Sequence, residues 1–308
     1  MTEEAPCCLR RAKLMGKSDT GGHGTRQARI RRALAALLGT TLLLPPPASA
    51  ADLQAQTVEA FNHYVQLTEA QMDTSLARHE PFLRVDRLLA EQRAASYTQL
   101  REGKVVIERL ETLDNGKPIS VPGGLIHHWT GTVFIPGATL AQTLSLEQDY
   151  DHHQDYFRPD VMRSKILRRD GGEFLVALRF YKKKIITTIL DTEHEVHYSA
   201  VDSSRAMSRS HTTRIQEVEN AGKSDERLEP EGHDRGFLWR MNTYWRFEEK
   251  DGGTYVESQS ISLTRDIPTG MGFLVAPFVT SVPRESLTFT LATTRAAVLE
   301  RIGARVSR

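Results

Sequence analysis

Between Lys104 and Arg265 the chain alternates apolar and polar residues with a period near two, the pattern of half-buried strands. Two long runs close this region, Phe237–Glu248 and Thr254–Arg265, joined by the turn Glu249-Lys250-Asp251-Gly252-Gly253. Upstream, Lys104–Glu111 and Leu125–Ile135 read as strands, with the strong turn Asp114-Asn115-Gly116-Lys117 between them. Five further strands are read at Val161–Arg169, Glu173–Tyr181, Lys184–Leu190, His194–Val201 and Ala206–Val218. They are rich in Ile, Val, Thr and Tyr and are separated by polar punctuation such as Asp170-Gly171-Gly172. Their succession predicts an antiparallel meander. Asn220–Gly236 is polar and reads as a long surface loop, because the strands on either side need each other as partners.

The period changes to that of a helix in three places. Over Leu53–Leu76, Val58, Phe61, Val65, Thr68, Met72 and Leu76 recur at spacings of three and four, which predicts a helix packed on the domain as an N-terminal extension. Ala138–Tyr150 is helical, with Leu140 and Leu144 on one side, and a short turn follows over Asp151–Arg158. The last helix is read from Pro283, where a missing N–H is harmless, to Ile302. Leu287, Leu291, Val298 and Ile302 form its apolar stripe, with Thr294 between, and such a stripe is stable only against a sheet or another helix.

The front of the chain differs. Arg26, Arg29, Arg31 and Arg32 precede an apolar core, Ala33–Leu44, then Pro45-Pro46-Pro47 and the small-residue site Ala48-Ser49-Ala50. That order is the one of a secretory signal peptide cleaved near Ala50. Twelve apolar residues reach only about 18 Å as a helix, short of a bilayer core of about 30 Å. An exported, periplasmic or extracellular chain is therefore expected, with no transmembrane segment after residue 50. Both cysteines, Cys7 and Cys8, lie in the leader, so the remainder has no thiol for a disulfide or a metal. Of the 40 basic and 39 acidic residues, eight and three precede Ala51, leaving 32 and 36, a net charge of −4. This argues against a general nucleic-acid binder. The length allows one large domain or one domain with an appendage.

No catalytic or cofactor motif stands out. His127-His128, His152-His153 and His194-Glu195-Val196-His197 attract attention as metal ligands. Residues adjacent or three apart on a strand face opposite ways, so surface or hydrogen-bonded histidine is the reading, and no metal site is assigned. Asp149, Asp151 and Asp155 follow an amphipathic helix and read as a solvated end. Lys182-Lys183-Lys184 reads as a charged turn or edge. On the penultimate strand Arg240, Asn242, Tyr244 and Arg246 share one face, and Trp239, Met241, Thr243, Trp245 and Phe247 share the other.

The order strand, strand, short helices, antiparallel strands and long terminal helix resembles the START-like (Bet v 1-like, polyketide cyclase/dehydrase-like, SRPBCC) superfamily. The local likeness lies in Pro136-Gly137-Ala138 through Val161, and in Asp266–Gly272 followed by Pro283–Ile302. It covers roughly residues 97–303, behind the leader 1–50 and a helical extension 51–96, and it leaves a tail at 304–308. The resemblance implies an α+β helix-grip fold, a curved antiparallel sheet wrapped around the C-terminal helix, with the N-terminal helix as an addition. It also implies an apolar cavity between sheet and helix, while the superfamily spans lipid carriers, plant ligand binders and aromatase/cyclases. On that basis Trp239, Met241, Trp245, Phe247, Leu287 and Leu291 are expected as cavity walls, with Thr243 a polar anchor. The expected function is binding of a hydrophobic or amphipathic small molecule, a lipid among them, with no cofactor. The alternatives are a cyclase/dehydratase-type enzyme using the same cavity, or an envelope structural module. Gly270-Met271-Gly272-Phe273 and the apolar residues to Val279 fit a gate, a membrane contact or plain packing.

Overall fold

The computed structural model describes residues 51–183, 187–267 and 272–306. The leader reading at 26–50, the turn residue Lys184 and the segment 268–271 lie outside the described residues. The main sheet is built from β1 (Val106–Arg109), β2 (Gly124–Pro136), β3 (Val161–Asp170), β4 (Glu173–Lys183), β5 (Thr187–Ala200), β6 (Arg205–Glu219), β7 (Arg240–Lys250) and β8 (Gly253–Arg265). Every pairing is antiparallel, in the order β1-β2-β8-β7-β6-β5-β4-β3, and Arg227–Leu228 adds a short strand beside β6. The chain makes a meander from β3 to β8, and the last strand returns beside β2. The helices are α1 (Ala55–Ala77), α2 (Ala90–Arg101), α3 (Leu140–Glu147), α4 (His153–Tyr156) and α5 (Gly272–Val306).

Local chemistry explains the corners. Asn115 and Gly116 both have positive φ, as do Asp251 and Gly252, the backbone that two-residue hairpin turns demand. Helix α3 opens with a capping box: Thr139 Oγ1 accepts from Gln142 N at 3.2 Å, and Gln142 Oε1 accepts from Thr139 N at 2.9 Å.

Antiparallel pairing places directly opposed residues on one face, so the register sorts side chains into two sets. Val133, Val256, Phe247 and Ala206 face α5 and form one cluster with Leu287, Leu291 and Val298. Gly131 permits this contact, since a Cβ there would come within 2.7 Å of Leu291 Cδ1 and Ile107 Cδ1. The opposite face, with Ile261, Leu263 and Tyr244, is covered by α1 through Phe61, Tyr64, Val65 and Met72. Each such buried side chain contributes about 1.5–3 kcal/mol as an upper estimate. A third cluster joins Phe134 and Tyr255 to Phe82, Leu83, Val85 and Leu100 at the start of the chain.

The α+β helix-grip architecture is the one that the resemblance implies, with three departures from the elements read in the sequence. Lys184–Leu190 and His194–Val201 are not two strands: β5 runs unbroken from Thr187, its alternation continues through the polar stretch Asp191-Thr192-Glu193 that separates the two readings, and the register shift opposite Glu193 and His194 places its extra residue on β6. Helix α2, Ala90–Arg101, is not among the three helices read from the residue pattern, and it ends just before the first strand read at Lys104. Helix α5 begins at Gly272 and passes through Pro283, so the proline sits inside the helix and not at its start. Proline forgoes one backbone hydrogen bond there, and the helical backbone continues on both sides of it. Among the described residues no helix is long and apolar enough to cross a membrane.

Candidate ligand-binding site

The inner face is best seen as rungs that cross several strands. One rung is Val133, Val256, Phe247 and Ala206. The next is Gly131, Ser258, Trp245, Ser208 and Tyr198. Then come Trp129, Ser260, Thr243, Ser210 and Val196, and after these His127, Ser262 and Met241, with Thr212 and His194 continuing on β6 and β5. The first rung is wholly apolar and buried. Each later rung mixes hydroxyls with tryptophan, methionine or histidine.

These rungs are not sealed. Phe247, Val133 and Val256 have no accessible surface, whereas Trp129, Met241, Thr243, Trp245 and Ser260 are only half-buried. Leu178 and Phe180, on the continuation of the same face, are half-buried too. Side chains that point inward and keep accessible surface border open space. The rings of Trp245 and Phe247 lie parallel at a centroid separation of 6.1 Å, forming a flat apolar step from the closed rung to the open ones. Ser208 Oγ is buried beside Tyr198 and has no hydrogen-bond partner of ordinary geometry among the described residues.

On β2, β8, β7 and β6 these rungs carry no fixed charge, while Arg109, on the edge strand β1, is directly opposed to Trp129. His127 Nε2 lies 2.9 Å from Thr264 Oγ1, and His194 Nε2 lies 2.8 Å from Thr192 Oγ1. Burial lowers both imidazoles to a pKa of about 4, so they are neutral at pH 7. At the α3–α5 contact, buried Glu147 accepts from Thr294 Oγ1 at 2.9 Å. Burial raises its pKa to about 7. His153 Nε2 lies 3.1 Å from the Glu147 carbonyl oxygen, and the Tyr150 and Tyr198 hydroxyls are 2.8 Å apart.

Of the seven residues expected as walls, Phe247, Leu287 and Leu291 pack in one cluster, with Trp245 against it. Met241 and Thr243 lie on the neighbouring rungs of the same face. Trp239 departs from this group. It packs with Phe61, Ile261 and Leu263 on the outer face. The reason is that β7 starts at Arg240, one residue later, and Trp239 is held by the preceding loop, where Asp234 Oδ1 accepts from both Gly236 N and Trp239 Nε1. Alternation does not extend past the end of a strand.

The serine rows were missed from sequence. Their signal was the run Ser258, Ser260, Ser262 and Thr264, at a spacing of two on a strand whose intervening residues include Ile261 and Leu263. The histidine pairs split between faces as their spacing demands. His128 points outward to Tyr64 and Gln259, His197 is exposed beside Glu173, and His152 lies 2.6 Å from Asp149. No group of three or more metal-ligating side chains occurs among the described residues.

No protein-family model matches the chain, and no curated protein matches it in sequence. Among solved structures it is similar to a protein from Thermus thermophilus at 16% identity, with a TM-score of 0.40 over 58% of this chain and 98% of that one. It is similar to the Zhui aromatase/cyclase from a Streptomyces species at 12% identity, with a TM-score of 0.38 over 58% and 96%. A STAR-related lipid transfer protein from Xanthomonas axonopodis aligns at 14% identity, with a TM-score of 0.36 over 60% and 98%. The helix-grip description rests on the strand order and the seat of α5, and none of these likenesses adds to it.

Proposed function

We propose that the chain binds a hydrophobic or amphipathic small molecule, a lipid among the candidates, between the inner face of the sheet and α5. The observation that carries this reading is the half-buried state of Trp129, Met241, Thr243, Trp245 and Ser260 on a face that the fold turns inward. An apolar closed end with hydroxyls further along suits a molecule with an apolar body and a few polar groups. The neutral histidines and the uncharged residues of β2, β8, β7 and β6 on the four rungs favour an uncharged body, with Arg109 beside Trp129 at the sheet edge. We further propose that the protein acts after export, a reading supported by the order of Arg26–Ala50.

The three tryptophans make the test direct, because Trp129 and Trp245 face inward and Trp239 faces outward. A brominated fatty acid is titrated into variants that keep one tryptophan each, the others replaced by Phe. Quenching of Trp245 and Trp129 with Trp239 unchanged supports the proposal. No quenching, or equal quenching of all three, together with no mass gain in native mass spectrometry across lipids and aromatic polyketides, overturns it. The mass of the purified secreted chain reports whether cleavage occurs near Ala50.

A further inference from the structure

The outer face holds a cleft. It lies where α1, the turn Arg84–Arg87 and β1 leave the sheet uncovered, between the apolar patch under α1 and the one around Tyr255. Its volume is about 300 Å³, and His128, Gln259 and Arg246 form its floor. A liquid water occupies about 30 Å³, so the space suits a solute of about ten heavy atoms.

Four arginines, Arg84, Arg87, Arg109 and Arg246, line the cleft beside Glu108 and Glu111, and one of them pairs with a buried carboxylate behind it. Glu257 is 1% exposed; it accepts from Arg246 Nη1 at 2.9 Å and from Arg84 N at 2.6 Å. Arg84 itself forms a two-pronged pair with Glu108, at 3.1 and 2.8 Å. Arg87 binds the Pro81 carbonyl oxygen through Nε and Ser75 Oγ through Nη1, and its nearest carboxylate, Glu80, stands 3.8 Å away. Arg246 and Arg84 both disfavour the charge on Arg87, which burial already makes costly. Arg246 and Arg84 are thus each matched by a carboxylate, whereas Arg87 has none within hydrogen-bond distance. Arg87 and Arg246 each also keep a nitrogen outside the hydrogen bonds named, Nη2 in both cases. Guanidinium forks are matched in shape to carboxylate and phosphate.

We infer that this outer cleft is a binding site for a small oxyanion, the carboxylate or phosphate group of a polar solute, held by Arg87 and Arg246 with Arg84 in reserve. Thr68, Gln71 and Ser75 on the α1 side offer neutral polar groups to the rest of such a solute. Because α1 and the segment to Thr112 form one wall, the site belongs to the N-terminal extension as much as to the sheet. It is independent of the inner-face proposal.

The test is calorimetric titration of the full chain with inorganic phosphate and with acetate, at ionic strength matched by chloride. Saturable binding of one of them is expected, and the preference tells which oxyanion the cleft takes. Arg87→Gln should weaken it about tenfold, the loss of one charge-assisted contact. Glu108→Gln should tighten it about tenfold, since the Arg84 fork is released and a competing charge is gone. Glu108 is partly exposed, so that variant keeps the fold and the proposal stays falsifiable. Opposite effects of the two substitutions are not produced by a merely structural role. Binding no better than chloride, or binding that ignores both substitutions, overturns the inference. Fatty-acid quenching of Trp245 should be the same in wild type and Arg87→Gln, which separates failure here from failure of the inner site.

Discussion

On β8, Ser258, Ser260, Ser262 and Thr264 face α5, while Glu257 and Gln259 face the N-terminal extension. The same contrast holds on β7, where Thr243 and Trp245 point one way and Tyr244 and Arg246 the other. Along these stretches one face presents uncharged aromatic and hydroxyl groups bordering space. The other holds arginine–glutamate pairs between two apolar patches. A period of two lets one strand serve two chemistries, with a backbone thickness of separation. The covering elements differ accordingly: α5 meets the inner face through Leu287, Leu291 and Val298, whereas α1 adds Tyr64 and Thr68 to its apolar contacts.

The contrast is open to direct attack. The largest effect is expected from Arg246→Met, which strips Glu257 of its ion-pair partner in a buried setting. A loss of about 3–5 kcal/mol in urea denaturation is expected. On the inner face Leu291→Ala should cost about 2–5 kcal/mol by the same measurement, and it should also loosen ligand retention. Arg246→Met should leave inner-site retention unchanged in whatever fraction stays folded.

Acidity separates the two kinds of buried group. Burial holds His127, His128 and His194 at a pKa of about 4, below the unfolded value of about 6.5. The native state then binds fewer protons than the unfolded chain between those values. Their contribution is complete above about pH 6.5 and is lost as pH falls towards 4, by up to about 3 kcal/mol for each group. Glu147 has the opposite sign, because its pKa of about 7 exceeds the unfolded value near 4.5. Its contribution is complete below about pH 4.5 and is lost as pH rises towards 7. Glu147→Gln should therefore raise stability at about pH 8 by about 1–3 kcal/mol while leaving it near wild type at about pH 4. Denaturation midpoints at the two pH values check both signs. The smallest effect is Thr243→Val, a stability change within about 1 kcal/mol, with a shift in which inner-site ligands are retained.

Much of this was legible in the residues because strands declare their faces. The split of β7 into an Arg240–Arg246 face and a Met241–Phe247 face holds in the structure. Of the stripe read on α1, Phe61, Val65, Thr68 and Met72 are buried, whereas Val58 is half-buried and Leu76 is exposed. What failed did so where a local rule was interrupted. The polar stretch Asp191-Thr192-Glu193 hid the continuity of β5, and the Asp234 loop turned Trp239 away from its expected companions. Pro283 marked a helix start by its preference, but the apolar residues before it continue the helix. The outer cleft was invisible for a different reason. Arg84, Arg87, Glu108, Arg246 and Glu257 are scattered along the chain, with 173 positions between the first and the last, and only folding of the extension onto the sheet brings them together.

The rungs of the inner face also act as a ruler. Residues on one strand that share a face are about 7 Å apart, two steps of about 3.4 Å. From Val133 to His127 is six residues, so the wholly apolar rung and the rung of His127 and Ser262 are about 20 Å apart. A molecule whose polar group settles on one rung leaves a set length for its apolar remainder before Phe247 and Leu291 stop it. Selection among occupants would then follow the distance from headgroup to tail end, in increments fixed by the backbone. Moving a serine by two positions along β8 would change the preferred length by one increment.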